Sequence, residues 1–333
     1  MKLLPSSYSN ASSAFIIPHY SEDMDRMFIG DTINGLLKQT DSDWLAIIID
    51  DASKKITVRN YLKKLREKYF PKIQVIFLDK NQGAGVCRNI GVSVALKQRC
   101  QIIHFNDADD ISHPERVRIV KNVFTRCPNI GLVYSFFTVI DENNQPILGK
   151  QIPSSILEIL ESLTKSQPEG EDVWITMGTD TGYINKTSAT SVRTAFAYQC
   201  PFPNARASED FHTWLRLSAQ GVCFKYLTSI PTQYRVPRFM KYQASRLRLG
   251  SNNFNKIKVC VDSDGFFKAI ELAVARNKIK REEIADLKAR FYRRLIRTME
   301  RERELSLVEQ LTKKLNDISN KSSFCLQKEI IYL

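Results

Sequence analysis

Four short apolar runs constrain this chain most: residues 14–17, 44–49, 73–78 and 102–105. Apolar side chains hardly alternate with polar ones in them, as expected of strands covered on both faces, the environment of a parallel sheet. Pro18 marks the end of the first run. An amphipathic stretch follows each run. Residues 24–38 place Met27, Ile29, Ile33, Leu36 and Leu37 on one helical face, and 58–69 place Leu62 and Leu65 against Lys and Arg. A helix to about Leu96 and one over 114–127 complete the series, and residues 130–140 read as a long strand. Strand and helix alternating in this way specify an α/β fold, a doubly wound, mostly parallel sheet flanked by helices, with crossovers of one hand.

In such sheets ligands bind outside the carboxyl ends of the strands. The loops there are 18–23, 50–53 and 107–110, with 81–91 after the third strand, so the polar clusters share one rim. The fourth strand runs into Asn106-Asp107-Ala108-Asp109-Asp110. Carboxylates this close repel, and burying them without a counter-ion costs several kcal/mol. A hard divalent cation, Mg²⁺ or Mn²⁺, shared with substrate phosphates would relieve that repulsion, with Asp107 and Asp109 as its ligands. The alternative is local: Asp110, ahead of Ser112, His113 and Pro114, suits a helix N-cap.

The stretch Asn81-Gln82-Gly83-Ala84-Gly85-Val86-Cys87-Arg88-Asn89-Ile90-Gly91 precedes a helix, where glycines permit close backbone approach and free N–H groups suit an anion. It matches neither a Walker A loop nor a dinucleotide fingerprint. Beyond Gly149 the pattern weakens. A helix is expected over 153–165, and residues 173–177 read as strand or helix. Ser208-Glu209-Asp210 places carboxylates in the first turn of a helix that Gly221 closes. A strand follows over 222–227, then helices over 266–276 and from 281 to about 315, the latter a single helix or a pair.

The chain has 333 residues, room for one large α/β domain and an extension. No run is long and apolar enough for a transmembrane helix, and the first residues lack a signal-peptide core. Seven scattered cysteines without zinc-ligand spacing fit free thiols in a reducing cytosol. Of the net charge of +13, residues 236–333 carry most, with 22 Lys and Arg against 12 Asp and Glu. A basic tail on a near-neutral body points to an anionic partner, such as a membrane surface or polyanionic glycan, or else to a solvated helical face. No nucleic-acid recognition motif accompanies it, and no nucleic-acid partner is expected.

Six short motifs in order carry a resemblance: Ile-Ile-Pro18-His-Tyr20, Asp50-Asp51-Ala52-Ser53, Asn81-x-Gly83-x-x-x-x-Arg88-Asn89-x-Gly91, Asn106-Asp107-Ala-Asp109-Asp110-x-x-x-Pro114, Glu209-Asp210 and Tyr234-Arg235-Val236. Together, over roughly residues 13–237, they resemble the family 2 glycosyltransferases of the inverting, DxD-containing GT-A fold, and the resemblance implies a place in bacterial glycan biosynthesis. The resemblance implies a metal-dependent, inverting transfer of sugar from a nucleoside-diphosphate donor, a UDP-sugar favoured, to a glycan or lipid-linked acceptor. It implies that Pro18 and Tyr20 lie against the base and that Asp51 accepts from a base N–H. Gly83 would line the nucleotide, and Arg88 would reach base or diphosphate. Asp107 would serve the ribose and metal, and Asp109 would ligate the Mn²⁺ or Mg²⁺. Arg235 would add charge near the diphosphate. Asp210, with Glu209 beside it, would be the general base.

Two departures stand out. Many relatives carry a metal-binding His where this chain has Pro237, leaving His19, His104, His113, His212 or water to complete the shell. Many have Gly in place of Ala52, so that loop is expected to differ slightly. The expected organisation is a transferase domain over 1–237, with a donor half at 13–140 and an acceptor half at 141–237. A basic helical extension over 238–333 would follow. The expected location is cytoplasmic, with peripheral contact at the inner membrane face through the tail. Competing readings are a catalytically degenerate domain that binds through its tail, and a nucleotidyltransferase. The latter needs a glycine-rich loop with Arg or Lys after the first strand, where this chain has Pro18-His19-Tyr20-Ser21.

Overall fold

The computed structural model describes residues 11–22, 27–238 and 244–330. The first residues, read for a signal peptide, lie outside it, as do residues 23–26, which span the end of the first loop and the expected start of the first helix. The chain alternates as the apolar runs require: β1 (Ser13–His19), α1 (Ile29–Leu37), β2 (Trp44–Asp50), α2 (Ile56–Tyr69), β3 (Ile73–Phe77), α3 (Ala84–Lys97), β4 (Ile102–Phe105), α4 (Arg116–Arg126) and β5 (Ile130–Ile140). Then come α5 (Ser154–Lys165), α6 (Val173–Thr176), β6 (Thr190–Arg193), α7 (Thr194–Gln199), α8 (Glu209–Ala219) and β7 (Cys223–Arg235). The chain continues with α9 (Ala244–Leu249), α10 (Ser251–Ala275), α11 (Glu283–Arg301) and α12 (Leu305–Ile330).

One seven-stranded sheet has the order β3-β2-β1-β4-β6-β5-β7. Only β6 runs antiparallel to its neighbours. Alternate residues of β1 and β2 point to opposite cores: Phe15, Ile17, Ala46 and Ile48 meet α1 and α2, while Ala14, Ile16, Leu45 and Ile47 face the larger core beneath α3. That division is why the runs show no polar alternation.

Pro18 lies inside β1 rather than ending it. Its position faces Ile49 on the β2 side, while pairing with β4 stops at Ile16 opposite Phe105. The missing N–H therefore falls beyond the end of that ladder. Residues 173–177 are helical, and Met177–Thr181 form a π-helical turn.

The C-terminal helices share the large core with the sheet. Phe266, Leu287, Phe291 and Leu295 belong to the same buried cluster as Ile16 and Trp214. Phe266 stacks on Phe291 with ring centroids 4.6 Å apart. The Phe266 ring lies so close to Gly178 that a Cβ there would sit 2.0 Å from it. Arg294 is buried and donates through Nε to the Gly178 carbonyl at 2.8 Å, and Arg290 donates to Thr179 Oγ1 at 3.0 Å. Part of the basic tail is thus committed to the body. Arg293, Arg297 and Arg301 remain exposed on α11.

Candidate active site

The carboxyl ends of β1, β2 and β4, the start of α3, the turn before β6 and the start of α8 meet at one rim. On β2, Asp50 accepts from Ser53 Oγ at 2.5 Å and pairs with His19 Nδ1 at 3.1 Å. This folds the loop back so tightly that Ala52 takes a left-handed conformation, φ +60°. The backbone that a Gly would favour is kept here with an alanine. Tyr20, half-buried, donates to Glu22 at 3.0 Å, and burial raises its pKa.

Asp51 is buried and accepts from the backbone N–H groups of Gln82 at 2.7 Å and Gly83 at 2.8 Å. Gly83 has φ +93°, which lets both N–H groups turn to one carboxylate. The anion held by the glycine loop in this structure is therefore Asp51. Arg206 covers the same loop, donating to Asn81 Oδ1 at 2.5 Å.

Arg88, 4% exposed, divides its fork between two carboxylates: Nη1 to Glu209 Oε1 and Nη2 to Asp107 Oδ1, each 2.7 Å. Both carboxylates raise its pKa against the desolvation that lowers it. This cation ties the tip of β4 to the first turn of α8. Asn89 reinforces the tie by exchanging two 2.8 Å hydrogen bonds with the backbone of Phe202.

Asp109 is half-buried and its carboxyl is pushed up to about 6, by burial first and by the charge of Asp107 second. Asp110 is fully buried. One of its oxygens accepts from the Arg235 backbone N–H at 2.8 Å, and burial and Asp109 push its carboxyl well up. It does not cap α4, whose N-cap is Glu115. The Arg235 side chain donates to Asp109 O and Asp141 O at 2.8 Å each, and to Asn144 Oδ1 at 2.7 Å and Asp31 Oδ2 at 3.2 Å. Its fork holds the acidic loop from behind, so it acts on anything bound at the rim through that loop.

Asp210 accepts from Thr187 Oγ1 at 3.0 Å and from the Phe211 N–H at 2.8 Å. Ser208, left-handed at φ +60°, starts the helix and bonds Tyr183 through its hydroxyl at 2.6 Å. Burial and then Asp210 raise the pKa of Glu209, while Arg88 opposes them.

Sequence reasoning missed three residues here. Arg116 is fully buried and donates to the carbonyls of Ser188, Thr190 and Phe105, locking β6 to the tip of β4. Thr187 aims Asp210. Lys186 lies among the carboxylates. The only signal for Arg116 was its place just after Pro114. Thr187 and Lys186 sit in a weakly patterned stretch with no spacing cue.

The resemblance implies a divalent cation, and the donor set fits a hard cation that brings much of its own shell. Asp109 and Asp107 are oxygen donors whose mutual repulsion a cation would remove, and no other side chain bonds Asp109 among the described residues. None of the four histidines joins them. His19 pairs with Asp50 and His104 with Ser191; His113 accepts from the Glu115 N–H, and His212 pairs with Asp264. Among the described residues no group of three or more His, Cys, Asp or Glu side chains forms a metal cluster, so a cation held here would take its remaining ligands from outside these side chains.

Comparison with known proteins bears on the family and the fold. The sequence model described as Glycosyl transferase family 2 matches residues 14–189. An uncharacterized glycosyltransferase of Nostoc sp. is 32% identical over 120 residues, 36% of this chain and 35% of its own length. The chain thus spans about a third of that relative. TuaG of Bacillus subtilis, provisionally named a teichuronic acid biosynthesis glycosyltransferase, is 24% identical over 221 residues, 66% of this chain and 77% of its own. Among solved structures, residues 1–349 of S. aureus TarS in complex with UDP superpose with a TM-score of 0.53 at 14% identity, covering 96% of this chain and 92% of that one. The likeness shows the fold, and the expected GT-A class, a mostly parallel sheet flanked by helices with a helical C-terminal region, holds.

Proposed function

The chain belongs to glycosyl transferase family 2, and from that premise we propose that it moves a sugar from a nucleoside-diphosphate donor to an acceptor hydroxyl with inversion at the anomeric carbon. The carrying observation is the Arg88 bridge, which fixes Asp107 and the Glu209–Asp210 turn across one cleft. A donor between them has its diphosphate at Asp107 and Asp109 and its anomeric carbon facing Asp210. Glu209 is engaged by Arg88, whereas among the described residues Asp210 accepts hydrogen bonds only from neutral donors and keeps lone pairs for a proton. Asp210 is accordingly the general base. It takes the hydroxyl proton as the acceptor oxygen bonds to the anomeric carbon and the bond to the diphosphate breaks. Asp109 and Asp107 would hold the Mn²⁺ or Mg²⁺, which when bound would supply positive charge against the departing diphosphate.

Residues 13–140 hold the donor in this reading. Tyr20 lies against the base, Pro18 shapes its side of the cleft, and Asp51 with Gly83 forms the wall facing it. A carboxylate only accepts hydrogen bonds, so Asp51 favours a base that presents an N–H, and a UDP-sugar is the first candidate. The structure of TarS with UDP-GlcNAc supports that choice by fold likeness alone. Arg88 and Arg235 act by holding the acidic residues in place. Residues 141–237 face the acceptor, a glycan or lipid-linked saccharide. Among the described residues no helix is long and apolar enough to cross a membrane. Arg293, Arg297 and Arg301, four residues apart on α11, offer a basic face for peripheral contact with anionic lipid at the inner membrane face.

The degenerate-domain reading draws on Pro237 and the two-carboxylate metal set. Hydrolysis of UDP-, GDP- and dTDP-sugars with Mn²⁺ separates the two. Activity with one donor, lost in Asp109→Ala and reduced at least about a hundredfold in Asp210→Asn, is expected. Absence of hydrolysis and transfer with all three donors would remove the enzymatic reading.

A further inference from the structure

Lys186 is the one cation of the cleft that the protein leaves without a partner among its described residues. Arg88 and Arg235 commit their forks to carboxylates and carbonyls, but the Lys186 ammonium has no hydrogen bond and no ion pair among the described residues. It rests against two aromatic faces, Tyr234 with Nζ 4.6 Å from the ring centroid and Phe137 at 5.9 Å. Such faces attract a cation without saturating its donors.

The backbone at Lys186 is held from both sides of the cleft. Thr187, next in the chain, donates to Asp210 Oδ2 at 3.0 Å. Ser188 accepts the Asp107 N–H at 2.8 Å. The ammonium is close enough to Asp210, Asp110 and Asp107 to feel all three charges. Burial still lowers its pKa from the ordinary lysine value, so the three carboxylates do not fully replace its lost water. The ring beneath it belongs to Tyr234, whose neighbour Arg235 holds the acidic loop through Asp109 O.

We propose that the Lys186 ammonium binds an anionic oxygen of the donor's diphosphate and offsets the charge that gathers there as the sugar leaves. The inference rests on the transferase reading. When the acceptor oxygen bonds to the anomeric carbon, the electron pair of the breaking C–O bond stays with the diphosphate and the acceptor proton goes to Asp210. A fixed cation beside that diphosphate gains interaction as the bond breaks. It would also ease dependence on any metal that Asp109 and Asp107 would hold.

The test is calorimetric titration of the full chain with UDP, UMP and uridine, in Mn²⁺ and in EDTA, for the wild type, Lys186→Met and Lys186→Arg. Lys186→Met should weaken UDP at least tenfold, by more in EDTA than in Mn²⁺. It should leave uridine unchanged and UMP within about threefold, and Lys186→Arg should recover most of the UDP affinity. Equal UDP binding by wild type and Lys186→Met, with both folded by circular dichroism, would overturn the role of Lys186 and leave the transferase reading intact. Equal weakening of UDP, UMP and uridine would also overturn it, as a packing effect. If Lys186→Met fails to fold, Lys186→Gln replaces it with the same thresholds. If wild type binds none of UDP, GDP or dTDP with or without Mn²⁺, the transferase reading falls, and this inference with it.

Discussion

Replacing Arg88 with methionine keeps much of the side-chain volume and removes the cation between Asp107 and Glu209. Two charge-assisted hydrogen bonds of 2.7 Å are lost. Hydrogen bonds to charged groups contribute about 1.5–3 kcal/mol each, and breaking a buried pair costs about 3–5 kcal/mol. Glu209 is 14% exposed and bears nearly the full penalty, whereas Asp107, 31% exposed, recovers part of its hydration. The expected loss at pH 7.5 is therefore about 3–4 kcal/mol, read as a fall in the urea midpoint at unchanged slope. The deficit should depend on pH. Arg88 now restrains a Glu209 pKa that burial raises, so its removal pushes that pKa further above the unfolded value. A carboxyl raised in the folded state destabilises where it must ionise and ceases to do so as pH falls through its folded pKa. The deficit at pH 5 should be visibly smaller than at pH 7.5, and adding Glu209→Gln should recover about 1–2 kcal/mol. A deficit under about 1 kcal/mol, the same deficit at both pH values, or no recovery by Glu209→Gln would refute the bridge as the element that joins the two halves of the cleft.

Three other outcomes follow from single features. Ala52→Gly should stabilise by a few tenths to about 1 kcal/mol, because φ is +60° there; a lowered melting temperature would contradict the strained loop. His104 is fully buried, and burial with Arg116 holds its pKa well below the usual range, so the folded state keeps it neutral while the unfolded chain protonates. Wild type should therefore lose about 1.4 kcal/mol per pH unit below about pH 6.5 from this residue, and the pH slope should be shallower by that amount in His104→Gln. Liposomes containing anionic lipid should sediment the protein at low salt, and a triple Ala variant at Arg293, Arg297 and Arg301 should abolish this; equal sedimentation with neutral lipid would exclude an electrostatic contact.

The sheet was legible where strands are covered on both faces. β1, β2 and β4 stand out as apolar runs because both their faces are buried, and the polar loops that follow them therefore fall on one rim by topology alone. β6 was missed. Thr190-Ser191-Val192-Arg193 is short and half hydroxylated, and the Ser191 hydroxyl serves Arg116 and His104 rather than an apolar core. With β6 went the turn that carries Lys186 and Thr187, whose importance comes from which chain segments it touches. Asp107 and Asp109 were legible as carboxylates after a strand end, and Glu209 and Asp210 as carboxylates in the first turn of a helix. What no spacing could reveal was that Arg88 would be shared between the two carboxylate groups, or that Asp51 would turn back on the glycine loop. Such pairings depend on where helices α3 and α8 come to rest against each other.

The seat that Gly178 provides for the Phe266 ring has a consequence for anyone exchanging parts between related enzymes. A graft at residue 237, where the motifs end, would separate that aromatic pair from the floor it rests on and strip the guanidinium of Arg294 from its carbonyl. Recombinants that keep α10 and α11 with their own α6 turn and α8 should express as soluble protein, whereas those that cross over between them inherit an uncovered hydrophobic hollow behind α8.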